Sequence, residues 1–250
     1  MRIIARLDIK NDWVIKGIHL EGLRKVGDPV DLAKTYYDAG IHEIIFMDAV
    51  ASLYDRNNLF HIIERACENV FIPICVGGGL RSTDDVSRAL DSGADKVAIN
   101  TGAVHDITLV TKVANRFGSQ CMVGSIEAKR KPSGGWEAYI DNGREPTGLD
   151  VLEWAKQLEE AGIGELLVTS IDQEGTRRGF DLELVEAIHD ITTRPVIFSG
   201  GFGKPKHLQS LLQNTTPSAV ALASVLHYGQ NTPAEIIQIS HPSYHQEFAA

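Results

Sequence analysis

Two acids stand at the ends of short apolar runs, Asp8 in RIIARLDIK and Glu127 in GSIEAKR. A pair of carboxylates flanking one substrate suits general acid–base work, because neighbours that push their pKa values apart let one donate while the other accepts. A third acid, Glu174, lies in SIDQEGT beside Asp172 and Thr176. Two further runs end in glycine, with Gly77, Gly78 and Gly79 after one and Gly200, Gly201 and Gly203 after the other. Glycine lets the backbone come close to a ligand, and N–H groups at a helix start bind anions. Asn100-Thr101 and Ala223-Ser224 close the runs that follow each glycine set. Gly78, Gly79, Asn100 and Thr101 thus form one candidate phosphate site, and Gly200, Gly201, Ala223 and Ser224 form another. Two such sites point to an elongated, bisphosphorylated small molecule. Lys16 and Arg24 would bring positive charge to it from the segment KNDWVIKGIHLEGLRKVGDP. A stretch of that length reads as a long loop, of the kind that often closes as a lid.

Other chemistries lack their signatures. The nine histidines, His19, His42, His61, His105, His189, His207, His227, His241 and His245, show no metal-ligand spacing. There is no Walker loop, VGGG does not continue into a dinucleotide fingerprint, and no Ser-His-Asp arrangement stands out. Neither metal nor organic cofactor is expected. Trp13, Trp136 and Trp154 read as packing or lid residues. Three cysteines without paired spacing are neither a disulfide framework nor a zinc site, and they suit a reducing cytoplasm. A net charge of -9 argues against nucleic acid and anionic membranes as partners, and no apolar stretch of about 18 residues suggests a membrane span.

These residues need elements to position them. Short β-branched runs suit strands near 2–8, 43–49, 72–76, 95–99, 120–126, 165–170, 195–199 and 218–222, buried on both faces. Helical patterns lie between them, near 29–39, 58–69, 82–92, 105–116, 148–161, 181–190, 204–213 and 232–239. Asp28-Pro29 and Ser82 with Asp84 and Asp85 are start signals, while Gly40, Gly93, Gly118 and Gly162 are stop signals. Eight strands alternating with eight helices in 250 residues predict one (β/α)8 TIM barrel, with a doubly wound open sheet as the alternative. The chain also repeats itself. GIHEIIFMD echoes GIGELLVTS, and PICVGGGLRSTDDVSRALDSGADKVAINTGAV echoes PVIFSGGFGKPKHLQSLLQNTTPSAVALASVL. The expectation is a single domain over 1–250, built from two similar half-barrels, about 1–118 and 119–250. The first and fifth strands would then set Asp8 and Glu127 across the mouth from each other. Arg2, Glu43, Lys96 and Glu165 begin four of the strands, and their mixed charges could ring the floor. From spacing alone the floor of this fold reads as stability.

Over residues 1–228 the chain resembles the cyclase-subunit family of imidazole glycerol phosphate synthase. The resemblance rests on RIIARLDIK, VIKG, GDPVDLAK, VGGG, GADKVAINT, FGSQ, AKR, GTRRGFD, SGGFGK and ALASV, in family order and spacing. It implies a barrel that pairs as a heterodimer with a glutaminase subunit at its N-terminal face. Ammonia would enter at the floor and react at the mouth with a bisphosphorylated aminoimidazole-carboxamide ribonucleotide. The products would be imidazole glycerol phosphate and an aminoimidazole-carboxamide ribotide. Carried over by position, Asp8 is a catalytic acid and Lys16 the lid lysine, and the two phosphate sites are as given above. Arg2, Glu43, Lys96 and Glu165 become the ammonia gate, and Asp95 an acid touching the glutaminase.

Three positions depart from the family. Glu127 and Glu174 replace aspartates, moving each carboxylate outward by a methylene, and Arg6 replaces the usual cysteine before Leu7-Asp8. A shift of about 1 Å can cost on the order of 100-fold in rate. Arg6 directed at Asp8 would lower that carboxyl's pKa and weaken it as a base. Two alternatives follow. One is a paralogue partnering an amidotransferase in surface-polysaccharide sugar amidination, which GSI, LEWAKQLEEAGIGE and PICVGGG also resemble. The other is a non-catalytic barrel that scaffolds or activates a glutaminase. The related single-chain sugar isomerase needs no ammonia gate, so the floor charges disfavour it.

Overall fold

The computed structural model describes residues 1–51 and 59–240. The predicted helix start at residue 58, together with His241 and His245, lies outside them. The strands are β1 (Arg2–Lys10), β2 (Trp13–Ile18), β3 (Glu21–Gly27), β4 (Glu43–Asp48), β5 (Ile74–Gly77), β6 (Lys96–Ile99), β7 (Met122–Arg130), β8 (Trp136–Ile140), β9 (Glu145–Asp150), β10 (Glu165–Ser170), β11 (Val196–Ser199) and β12 (Ala219–Leu222). Eight of them pair in parallel in the order β1-β4-β5-β6-β7-β10-β11-β12, and β12 pairs back onto β1. The sheet therefore closes into the predicted (β/α)8 barrel, and the open-sheet alternative falls.

Long helices return the chain between barrel strands, among them Pro29–Asp38, Thr83–Asp91, Val151–Ala161 and Pro205–Asn214. The start signals act as read. The Asp28 side chain accepts from Val30 N and Asp31 N, and Ser82 with Asp85 forms a capping box. Gly40, Gly93, Gly118 and Gly162 all take positive φ where helices end.

Along β1, side chains alternate. Ile3, Ala5, Leu7 and Ile9 join the core beneath the helices, while Ile4 packs inside the barrel with Ile45, Cys75, Ala98, Val123, Leu167, Ile197, Ala219 and Ala221. The lumen is thus a filled apolar layer between two polar ends.

The predicted long loop after the first strand is instead the antiparallel hairpin β2–β3, paired onto β1 through Ile9 and Val14. Its turn residues His19 and Leu20 both have positive φ, a two-residue turn without the usual Asn-Gly signal, and β3 is largely exposed, so it carries little apolar alternation. A second hairpin, β8–β9, follows β7 in the same way. Its turn does carry a signal, since Asp141, Asn142 and Gly143 all have positive φ. The helix expected from 148 begins at Val151 because β9 runs to Asp150. The helix expected over 105–116 is two, Thr101–His105 and Thr108–Phe117, because Asp106 takes an extended backbone between them.

Buried Asp181 ties the second hairpin to the wall. It accepts from Trp136 Nε1 at 3.1 Å, from Arg130 Nη2 at 2.9 Å, and from Leu184 N at the start of the helix Leu182–His189. Asp181→Ala strands a buried indole N–H and removes a cap, so it should cost about 3 kcal/mol in urea denaturation. A loss under about 1 kcal/mol would show that the hairpin is held elsewhere.

Candidate active site

The alternation that buries Ile4 in the lumen also aims Arg2, Arg6 and Asp8 there, since all sit at even positions of β1. At the floor, Arg2 pairs with Glu43 and Glu165, and Lys96 Nζ lies 3.1 Å from Glu43 and 3.0 Å from Glu165. Two cations and two carboxylates therefore alternate in a closed ring, as the floor prediction expected. Burial works against both cations, but the two carboxylates outweigh it and hold Arg2 and Lys96 above their ordinary pKa values. Asp95, beside Lys96, is exposed and accepts from Ile74 N at 2.8 Å.

At the mouth, Asp8, Glu127, Lys16 and Glu174 are all buried, as is Arg6. The Arg6 guanidinium donates from Nε to Asp8 Oδ1 at 2.8 Å and from Nη1 to Thr169 Oγ1 at 2.8 Å. Lys16 Nζ pairs with Glu174 and lies 3.6 Å from Asp8 Oδ2. Glu127 Oε2 accepts from Gly143 N at 2.8 Å and from Asn100 Nδ2 at 3.2 Å, both neutral donors.

The two carboxyls of the predicted pair are pushed apart. Burial drives Glu127 up to about 7, against the pull of Arg6 and the Gly143 N–H. Burial also works to raise Asp8, but the charges of Arg6 and Lys16 outweigh it and hold Asp8 below the usual carboxylate range. Burial brings the Lys16 ammonium below its ordinary value, with Arg6 adding to the fall and Asp8 opposing it. Nearby His227 is held at about 4, chiefly by burial, so it is neutral at pH 7, and its Nδ1 lies 2.7 Å from Tyr36 Oη.

The glycine sets form two bays. Gly78 and Gly79, with Asn100, Thr101 and Asp141, line a cavity of about 520 Å³ that reaches Glu127. Gly200, Gly201, Ala223 and Ser224 line a much smaller one of about 20 Å³ that reaches Glu174. Both bays require bare backbone. A Cβ on Gly78 would fall 2.3 Å from Asp48 O, and one on Gly201 would fall 1.9 Å from Gly179 O. The hairpins close over this mouth. His19 N donates to Glu174 O at 2.8 Å, and a Cβ on Gly143 would fall 2.8 Å from Leu20 Cδ1, so the two hairpin tips touch.

The structure thus brings together the predicted mouth residues except Arg24 and, separately, the floor ring. Arg24 is not part of the mouth, being exposed on β3. Sequence reasoning missed Thr169, Asp48 and the second hairpin's Asp141 and Gly143. Asp48, which accepts from Val50 N and Ala51 N at 2.9 Å, had the same signal as Asp8, an acid closing an apolar run. Thr169 had only its alternation with Leu167. Among the described residues no three His, Cys, Asp or Glu side chains are placed to hold a metal ion, and no helix is long and apolar enough to cross a membrane.

Residues 2–232 match the histidine biosynthesis protein family. The chain is similar to imidazole glycerol phosphate synthase subunit HisF of Legionella pneumophila, with 60% identity over 82% of this chain and 96% of that protein. It is also similar to the proteins of that name from Trichormus variabilis (48% identity, 94% of this chain, 93% of the other) and Streptococcus sanguinis (43%, 94% and 93%).

The titration of Glu127 has a measurable sign. Folded Glu127 holds its proton up to about pH 7, whereas the unfolded side chain ionises near 4.5, so its stabilising contribution is complete below 4.5 and is lost as pH rises through 7. Glu127→Gln escapes that loss. Its stability relative to the unmodified chain should rise by roughly 2–3 kcal/mol between about pH 5 and pH 8 in chemical denaturation. The same difference at both pH values would mean that Glu127 is not perturbed.

Proposed function

This chain belongs to the histidine biosynthesis protein family, and we propose how it serves there: it is the cyclase subunit of imidazole glycerol phosphate synthase, with its chemistry at the mouth of the barrel. The observation that carries this reading is the mouth itself, where a carboxyl poised near neutrality and a charged one lie beneath two glycine bays. The substrate is a bisphosphorylated aminoimidazole-carboxamide ribonucleotide with a ribulosyl arm, one phosphate in each bay. Ammonia adds to the carbonyl carbon of that arm, and the oxygen leaves as water. Both events need proton transfer, for which a group with a pKa near the working pH is best placed. Asp8 and Glu127 are the two carboxyls that flank the reacting carbonyl, and Glu127, near neutrality, is the one poised to move a proton.

Lys16 adds a cation under the hairpin that covers the mouth, and that closure excludes the water that would compete with ammonia. Ammonia comes from a glutaminase subunit docked on the N-terminal face, and it enters through the ring of Arg2, Glu43, Lys96 and Glu165, with Asp95 at the contact. No metal or organic cofactor takes part in this scheme. The free cysteines Cys67, Cys75 and Cys121 suit a reducing compartment, and the reading places the protein in the cytoplasm.

A second reading draws on one observation, the Arg6 guanidinium in the mouth. It keeps the ammonia route but takes a nucleotide-sugar acceptor from surface-polysaccharide synthesis.

The deciding experiment is ammonium-driven loss of the aminoimidazole substrate, followed by absorbance. Turnover is expected, with Asp8→Asn slower by at least ~100-fold. A folded protein that shows no turnover at high ammonium would overturn the cyclase reading. Normal glutaminase stimulation alongside that silence would identify a scaffold instead. For the floor, Lys96→Met should lower the ratio of glutamine-driven to ammonium-driven turnover, and an unchanged ratio would remove the ring from the ammonia route.

A further inference from the structure

Among the described residues the largest fully buried side chain is a cation, Arg6. It sits in the lumen directly above the apolar layer, between the floor and the reacting groups. We propose that Arg6 is a positioning residue that holds Asp8 as a fixed carboxylate anion, so that Glu127 is the one strand-end carboxyl free to move a proton. This rests on the cyclase reading and deepens it.

The geometry allows Arg6 little else. Its guanidinium is fastened at both ends, by Nε to Asp8 Oδ1 and by Nη1 to Thr169 Oγ1, so it spans from β1 to β10. The other Asp8 oxygen, Oδ2, faces Lys16 Nζ at 3.6 Å. A proton arriving at Asp8 would have to neutralise a carboxylate held by one cation and faced by another. Lys16 in turn is matched by Glu174.

Arg6 and Lys16 are each in contact with an acid other than Glu127, while Asp141 lines the cavity beside Glu127 and adds negative charge there. Among the described residues the Glu127 carboxyl accepts only from Gly143 N and Asn100 Nδ2. Asp8 is faced by Arg6 from its own strand, Lys16 from β2, and neutral His227 from the helix Ser224–His227. Glu127 across the mouth is the remaining charge-bearing group that senses it. A buried guanidinium loses its hydration and persists only where such partners replace it. Without Arg6, burial is the dominant influence on Asp8, and burial favours the protonated form.

The proton balance then closes on one residue. Protonated Glu127 gives a proton to the carbonyl oxygen and takes one back from the adding nitrogen, forming the carbinolamine. A second round of the same exchange gives the oxygen its second proton, so it departs as water, and removes a second proton from the nitrogen. Carbonyl and ammonia become imine and water, and Glu127 ends as it began. Asp8, ionised throughout, stabilises the cationic nitrogen as it forms.

The test is carboxyl titration by ¹³C NMR on the intact free protein, which needs no substrate. Asp8→Asn and Glu127→Gln identify the two resonances. In the unmodified chain Glu127 should titrate near neutrality, and Asp8 should stay ionised into the acid range. In Arg6→Met the Asp8 carboxyl should bind its proton at least ~10-fold more tightly, with Arg6→Lys in between. The pH profile of ammonium-driven kcat should gain a second ionisation in Arg6→Met that a purely structural role would not produce. Thr169→Val keeps the cation but frees one end of the guanidinium. It should raise Asp8 in the same direction by less, which keeps the idea testable if Arg6→Met does not fold. An Asp8 titration unmoved in every Arg6 and Thr169 variant would overturn the proposal. A folded chain without turnover would instead remove the cyclase reading and leave the titration result standing.

Discussion

The two-residue repeat of a β-strand governs the rest of this molecule. On β1 it sends Arg2, Ile4, Arg6 and Asp8 into the lumen and Ile3, Ala5, Leu7 and Ile9 under the helices. A slip of one residue would exchange the two sets, burying three charges against helices and emptying both polar ends of the barrel. Because the strands are parallel and closed, their starts all lie at the floor and their ends all lie at the mouth. A charge near a strand's beginning therefore joins the ring, and one near its end joins the site. The apolar layer of Ile4, Ile45, Val123, Leu167 and Ile197 keeps the two apart.

Charges so deeply placed have to be matched locally, because the barrel offers them little water. The floor achieves balance with alternating pairs. At the mouth Arg6 and Lys16 contact Asp8 and Glu174, which leaves Glu127 as an acid whose hydrogen-bond partners are neutral. Burial raises the Glu127 pKa where no cation is in contact, whereas Arg6 and Lys16 beside Asp8 outweigh burial and lower it there. Reactivity and packing are the same arrangement seen at different scales. The glycine bays obey a similar economy of space, since the carbonyls of Asp48 and Gly179 occupy the places where side chains would otherwise stand.

Much of this was legible in the residues. Continuous apolar runs, cap signals and stop glycines locate the barrel, because strands covered on both faces leave an unambiguous pattern. The repeat of VGGG and SGGFG locates both bays. Asp8, Glu127 and the floor charges are readable from their places at strand ends. The first hairpin was hidden, because β3 is exposed and its turn uses His19 and Leu20, residues that seldom adopt positive φ. The second hairpin had a readable Asp-Asn-Gly turn, but β9 is exposed or half-buried throughout and carries little apolar alternation, and the helix expected from 148 overlaps its last residues. Arg6 announced its type but not its reach. Parity puts it in the lumen with Asp8, yet its bond to Thr169, far away in sequence, depends on closure of the sheet.

The hairpin tips carry a consequence of a different kind. Leu20 fills the space that a side chain at position 143 would occupy, while the backbone of residue 143 holds the Glu127 carboxylate. The two sites are therefore not free to drift independently over generations. A side chain at 143 would meet Leu20, Ile171 and a positive φ that favours glycine, and a larger residue at 20 presses on the loop that orients the proton carrier. Two hairpins far apart in sequence are thus tied at their tips, and a change in the length or bulk of one is felt at the carboxyl that the other holds.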